Sequence, residues 1–200
     1  MAMTMNRREL VKVFWEQLDN FIRDWQKNPF RWDNERSIQF EIANRIKSAY
    51  GIRNDLMHLG YDYKLGGRFE KEQVYSRVRF EQKIYIKRRR QRCCPDIVIY
   101  DTINNPKLPP DSDWRKRINF PMLMVCEIKF RPVWKKGYRP KTKDNWDLEK
   151  LKSLLKRKDV RHGCWLNISC RRASSGNGFS KPTNDCGVKV YDIELPSLKK

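Results

Sequence analysis

The stretch Met122-Leu123-Met124-Val125-Cys126-Glu127-Ile128-Lys129-Phe130 constrains the fold of this chain more than any other segment. It is among the most apolar runs in the sequence. With Leu123–Val125 at its start it reads as a strand inside a sheet rather than at its rim. Further strands are expected at Val78–Ile86, rich in β-branched and aromatic residues, and at Pro95–Tyr100, which begins with a proline. Gly163–Cys170 and Val188–Ile193 supply two more, separated by a Ser/Gly/Asn-rich loop over residues 171–187.

Helical periodicity frames these strands. Between Glu9 and Trp25, apolar residues recur at Leu10, Phe14, Leu18, Phe21, Ile22 and Trp25, the three-and-four spacing of an amphipathic helix. A second helix is expected over Glu35–Tyr50, with Asn34 as N-cap, Ile38, Ile42, Ile46 and Ala49 on one face, and Gly51 ending it. A third begins near Asp144 or Asn145 and carries Leu148, Leu151, Leu154 and Leu155 on its apolar side. Gly60, Gly66 and Gly67 mark residues 51–73 as loops and turns, and the proline-rich residues 104–110 read as a long loop. The order α-α-β-β-β-α-β-β describes an α/β or α+β fold, a central mixed sheet flanked by helices in one domain over residues 1–200. Within it, residues 1–34 are an N-terminal helical extension, 35–170 the core, and 171–200 a loop and C-terminal strand.

Charge narrows the partners. The chain has 200 residues and a formal net charge of +20. The commonest physical use of such an excess is to neutralise phosphates and release counterions from a nucleic acid; a merely basic, well-solvated surface is the alternative. No window approaches ~18 consecutive apolar residues, no long basic amphipathic helix carries an uninterrupted apolar stripe, and the first ten residues lack the apolar core of a signal peptide. A cytoplasmic protein with no membrane partner is expected. The cysteines, Cys93, Cys94, Cys126, Cys164, Cys170 and Cys186, show no C-x2-C spacing for zinc. Without a secretion signal they are not read as disulfides. Cys126, Cys164 and Cys170 lie in apolar runs and read as small buried hydrophobes.

Two carboxylates stand out against this background. Asp96 opens an otherwise apolar strand and Glu127 interrupts another; charged side chains are rarely placed so unless they are paired or bind a metal. Alternation puts Glu127 and Lys129 on one face of their strand and Cys126, Ile128 and Phe130 on the other. If the two strands are neighbours, Asp96, Glu127 and Lys129 converge, giving two oxygen ligands for a hard cation with an ammonium beside them. Each residue also has a plainer reading. Asp96 follows a proline as a turn residue would, Glu127 and Lys129 could guard an edge strand, and Glu81 could pair across strands with an arginine or substitute as a ligand.

Pro95-Asp96 followed by Glu127-Ile128-Lys129 resembles the signature of the PD-(D/E)xK, or restriction-endonuclease-like, nuclease superfamily. The family core is α-β-β-β-α-β, and residues 35–170 supply those elements in that order. The helix before it and the long connection between the Asp96 and Glu127 strands are additions to the pattern. Many members place a Glu on the first core helix to complete the metal site, and Glu41 is the matching position here, at the border of the Ile38/Ile42/Ile46 face.

The resemblance implies a Mg²⁺- or Mn²⁺-dependent endonuclease hydrolysing phosphodiester bonds. Asp96 and Glu127, with the Ile128 carbonyl, would hold the metal, Glu41 would orient water or a second ion, and Lys129 would stabilise the charge of the transition state. Arg88, Arg89, Arg90, Arg92, Arg131, Lys135 and Lys136, in basic runs flanking the two strands, would grip the backbone without reading sequence. DNA is favoured over RNA, and cutting both strands of a duplex would favour a homodimer. The rival reading is a non-catalytic basic nucleic-acid-binding protein, or an accessory subunit, on the same fold.

Overall fold

The chain enters its first helix at Asn6, whose side chain accepts from the Glu9 N–H (3.1 Å) while the Glu9 carboxylate accepts from the Asn6 N–H (2.7 Å). This reciprocal cap satisfies two backbone donors at the helix start. The structure is a computed structural model that describes residues 5–59, 63–65, 68–70, 73–81, 84–86, 91–101, 121–131, 143–156, 160–179 and 181–197. Helix α1 (Arg7–Lys27) buries Leu10, Phe14, Leu18, Phe21, Ile22 and Trp25, the stripe expected from its periodicity. Helix α2 (Glu35–Asp55) is capped by Asn34, whose Oδ1 accepts from the Ser37 N–H at 2.8 Å. Gly51 interrupts it with φ 67°, a left-handed conformation that glycine adopts freely, before helical backbone resumes to Asp55.

The next residues form two nested antiparallel ladders rather than only loops and turns: β1 (Leu56–Leu59) pairs with β4 (Gln73–Ser76), enclosing β2 (Tyr63–Leu65) on β3 (Arg68–Glu70). The strand expected over 78–86 divides. Its first part is β5 (Val78–Phe80); Glu81 then turns the backbone at φ 44°, and β6 (Ile84–Ile86) pairs instead with β7 (Gln91–Cys93). The division has a local cause: the Glu81 N–H donates to the Asp96 carbonyl at 3.2 Å, which fixes the end of β5 where the next sheet strand begins.

β8 (Ile97–Tyr100), β9 (Met122–Arg131), β10 (Val160–Arg172), β11 (Thr183–Asp185) and β12 (Val188–Leu195) join β5 in a six-stranded mixed sheet of order β11-β12-β10-β9-β8-β5. β5 and β8, β8 and β9, and β11 and β12 are antiparallel; β9, β10 and β12 run parallel. Helix α3 (Lys143–Leu155) makes the crossover that parallel β9 and β10 require. β9 is interior, as its composition demanded. β11 falls inside the expected loop because Thr-Asn-Asp has turn rather than strand composition. Its hairpin closes through Cys186 (φ 51°) and Gly187 (φ 87°), two consecutive positive-φ residues as in a type I′ turn.

The architecture is therefore α+β, a six-stranded mixed sheet flanked by helices. Met124, Cys126 and Ile128 of β9 pack with α1, α2, Cys164, Leu166 and Tyr191 on one face. Val125 packs with Leu151 and Leu154 of α3 and with Trp165 on the other. Helix α1, in the N-terminal extension, contributes Leu10, Phe14, Leu18, Phe21, Ile22 and Trp25 to the core on the first face. Cys126, Cys164 and Cys170 are buried free thiols, as the sequence suggested. Among the described residues no helix is long and apolar enough to cross a membrane.

Candidate active site

Register decides what Asp96 meets. Ile97 lies opposite Cys126, so the residue before β8 arrives beside Glu127 and Ile128. The Ile128 N–H donates to Asp96 Oδ2 at 2.6 Å. The Asp96 carbonyl accepts from the Glu81 N–H and from Nε2 of Gln39, a buried residue of α2. Asp96 is thus held by β5, α2 and β9 together.

Glu127 alternates with the core-facing residues of β9 and lies on the α3 side of the sheet, where it is 8% exposed. Its Oε1 accepts from Lys129 Nζ at 2.7 Å, and the same ammonium lies 3.3 Å from Asp147 Oδ2 on α3. Lys129 Nζ also sits 6.0 Å from the centre of the Trp165 ring, across the strand pair. Glu35, the first residue of α2, reaches the end of β9: its Oε2 accepts from the Phe130 N–H at 3.3 Å.

These groups act on one another electrostatically. Burial pushes the Asp96 carboxyl up to about 8, aided by the charges of Glu127 and Glu35 and opposed by the Ile128 N–H and Lys129. Burial also raises Glu127; Lys129 pulls it back, while Asp147 and Glu35 push it further up. Burial works against the Lys129 ammonium, yet Glu127, Glu35 and Asp147 hold it above its ordinary range. In a chain of net charge +20, a half-buried lysine is surrounded by carboxylates. Carboxylates desolvated together without matching positive charge destabilise one another.

Asp96, Glu127 and Lys129, selected from the sequence, are brought together. Glu41 is not brought to them. Its Oε1 binds Arg45 Nε at 2.7 Å, and Arg45 reaches Asp24 of α1 at 2.7 Å while its guanidinium lies 5.8 Å from the Phe21 ring. An arginine four residues on draws the Glu41 side chain toward α1. The α2 carboxylate that meets the sheet is Glu35. Its signal was positional: it directly follows the capping Asn34, so it lies at the helix end, whereas a helical wheel weighs only faces. Asp147 was likewise missed as one polar residue in a polar helix.

Ile128 contributes its N–H to Asp96, and its side chain lies in the core. Glu81 is exposed beyond the end of β5, and only its N–H touches the site. Arg131 ends β9 and Arg92 lies in β7, whereas Arg88, Arg89, Arg90, Lys135 and Lys136 lie outside the described residues. Among the described residues no three His, Cys, Asp or Glu side chains are grouped so as to hold a metal ion. Instead, Glu127 is engaged by Lys129 and Asp96 by the Ile128 N–H. No family model, no curated protein and no solved structure matches this chain.

Proposed function

We propose that the protein is a Mg²⁺- or Mn²⁺-dependent nuclease that hydrolyses phosphodiester bonds, acting as an endonuclease on DNA in preference to RNA. The observation that carries this reading is the convergence of Asp96, at the entry to β8, with Glu127 on the adjacent strand β9 and Lys129 beside them, burial and then the Glu127 charge raising Asp96. The restriction-endonuclease-like core is supported by the order α2-β5-β8-β9-α3-β10, with the β1–β4 and β2–β3 ladders and the β6–β7 hairpin as insertions.

The donor set suits a hard divalent cation: its side chains offer oxygen ligands, and its negative charge exceeds what one lysine offsets. Asp96 and Glu127 would hold the ion through two carboxylate groups, no third such side chain being grouped with them among the described residues. When bound, it supplies charge neutralisation at the phosphate and makes water a better nucleophile. Lys129 donates to the phosphate oxygens as negative charge builds on them. Asp147 keeps the ammonium at the site when Glu127 turns to another partner. The net charge of +20 holds the nucleic-acid backbone without selecting sequence.

A non-catalytic binding role draws on one specific observation: both principal carboxylates are already satisfied within the protein, Glu127 by Lys129 and Asp96 by the Ile128 N–H. Supercoiled plasmid separates the two readings. Incubated with Mg²⁺, Mn²⁺ or EDTA, wild-type protein is expected to nick and linearise it only with metal, and Glu127→Ala to lose that activity. Salt-sensitive binding by the wild type, without cleavage of plasmid, single-stranded, branched or RNA substrates, would establish the binding role instead.

A further inference from the structure

Among the described residues two large apolar side chains are exposed, Phe40 and Trp146, each 51%. Both adjoin residues that touch the acidic cluster. Phe40 follows Gln39, whose amide holds the Asp96 carbonyl, and Trp146 precedes Asp147, the second partner of Lys129. They lie next in sequence to the cluster's partners, on two different helices.

Phe40 is paired with a second ring and Trp146 with a cation. Phe40 stacks on Phe80 of β5 with ring centres 5.0 Å apart and planes within 16°, and Lys47 Nζ lies 5.2 Å from the Phe80 ring. Lys150 Nζ lies 4.9 Å from the Trp146 ring. An exposed ring that already attracts an ammonium, as Trp146 does, and an exposed ring already in a stack, as Phe40 is, are both of the kind that takes a further flat or cationic partner. An unpaired base offers a flat face to such a ring and a phosphate to the neighbouring ammonium; bases stacked within a duplex do not offer that face.

From this placement we infer that Phe40 and Trp146 are stacking platforms for unpaired bases, so that the substrate is engaged at a single-stranded or locally opened stretch rather than as intact duplex. The inference rests on the nucleic-acid substrate of the proposed function and specifies its form. The +20 charge supplies the complementary attraction for the strand's phosphates.

Fluorescence anisotropy in EDTA, at fixed ionic strength, tests the inference without cleavage. The probes are oligothymidylate and oligouridylate of about 20 nucleotides, longer than the ~4–16-nucleotide sites typical of such platforms, with a duplex and an abasic strand of equal charge. Trp146→Ala and, separately, Phe40→Ala are expected to weaken binding of the single strands about 5- to 150-fold, the equivalent of losing one base–aromatic stack. Duplex and abasic affinities should stay within about twofold, and Trp146→Phe should restore most of the loss. The DNA and RNA arms show which strand the platforms prefer. Circular dichroism confirms that each variant is folded.

Equal losses on all four probes, no loss on the single strands, or a wild type that binds none of them would overturn the inference. Single-strand binding that depends on Trp146, in a wild type that cuts nothing with Mg²⁺, would instead refute the nuclease reading and leave the platforms standing. Metal-dependent cleavage with equal losses on all probes would do the reverse.

Discussion

Replacing Asp96 with Asn asks how large an electrostatic burden the acidic cluster carries when no cation neutralises it. Burial, Glu127 and Glu35 push the Asp96 carboxyl from 3.8 up to about 8. A carboxyl whose value rises on folding stabilises the fold fully below its unfolded value, and that contribution is lost as pH rises through the folded value. Wild-type stability should therefore fall between about pH 4 and pH 8 from this residue alone. Each unit corresponds to about 1.4 kcal/mol, so the full shift would be worth ~6 kcal/mol. Asp96 is only partly buried, and solvent screening reduces the realistic figure to about 2–3 kcal/mol.

Asparagine keeps an oxygen for the Ile128 N–H and cannot ionise. Asp96→Asn should match wild type near pH 4 and exceed it by ~2–3 kcal/mol above about pH 8, with a Tm higher by roughly 5–10 °C. Urea unfolding across that pH range, with EDTA present, reads the difference directly. A difference that does not grow with pH, or a variant less stable than wild type at the alkaline end, would refute the electrostatic reasoning. With Mg²⁺ added the order should narrow, because an ion bound only by the folded wild type stabilises it by mass action.

Two further substitutions probe placement and packing. Glu127→Gln should abolish the Mg²⁺-induced rise in Tm along with cleavage, while Glu41→Gln should keep both and cost about 0.3–1 kcal/mol through the lost Arg45 pair; the opposite pattern would restore Glu41 to the site. Gly178→Ala should destabilise by about 2–4 kcal/mol in urea titration, because φ is 72° and a Cβ would lie 2.3 Å from the Glu194 carbonyl oxygen.

The sequence was most legible where one physical rule acted alone. Helical spacing identified every buried residue on α1, and Asn34 and Gly51 marked where α2 starts and where it breaks. Asp96 and Glu127 were visible because a carboxylate in an apolar strand is conspicuous. Legibility failed where tertiary contacts chose between local options. Glu81 belongs by composition to a continuous strand, yet its N–H is claimed by Asp96 and the strand ends there. Glu41 and Glu35 are both plausible on one helix, and only the positions of Arg45 and of the end of β9 decide between them. Asp147 acquires meaning only once α3 is laid against β9.

Helix α1 sets a schedule for the chain. Trp15 stacks on Tyr191 of β12 with ring centres 6.1 Å apart, and Gln26 donates to the carbonyls of Asn177 (2.7 Å) and Glu194 (3.4 Å). The stripe from Leu10 to Trp25 shares its core with Tyr191, Ile193 and Leu195. During translation at ~5–20 residues per second, α1 waits on the order of 10–35 s for those strand partners to emerge. Helix α2 follows closely and covers part of the stripe as a helical hairpin, but the sheet-facing side stays bare. A nascent chain with an uncovered aromatic stripe for that long is a natural client for a ribosome-associated chaperone, and its yield on expression should depend on one.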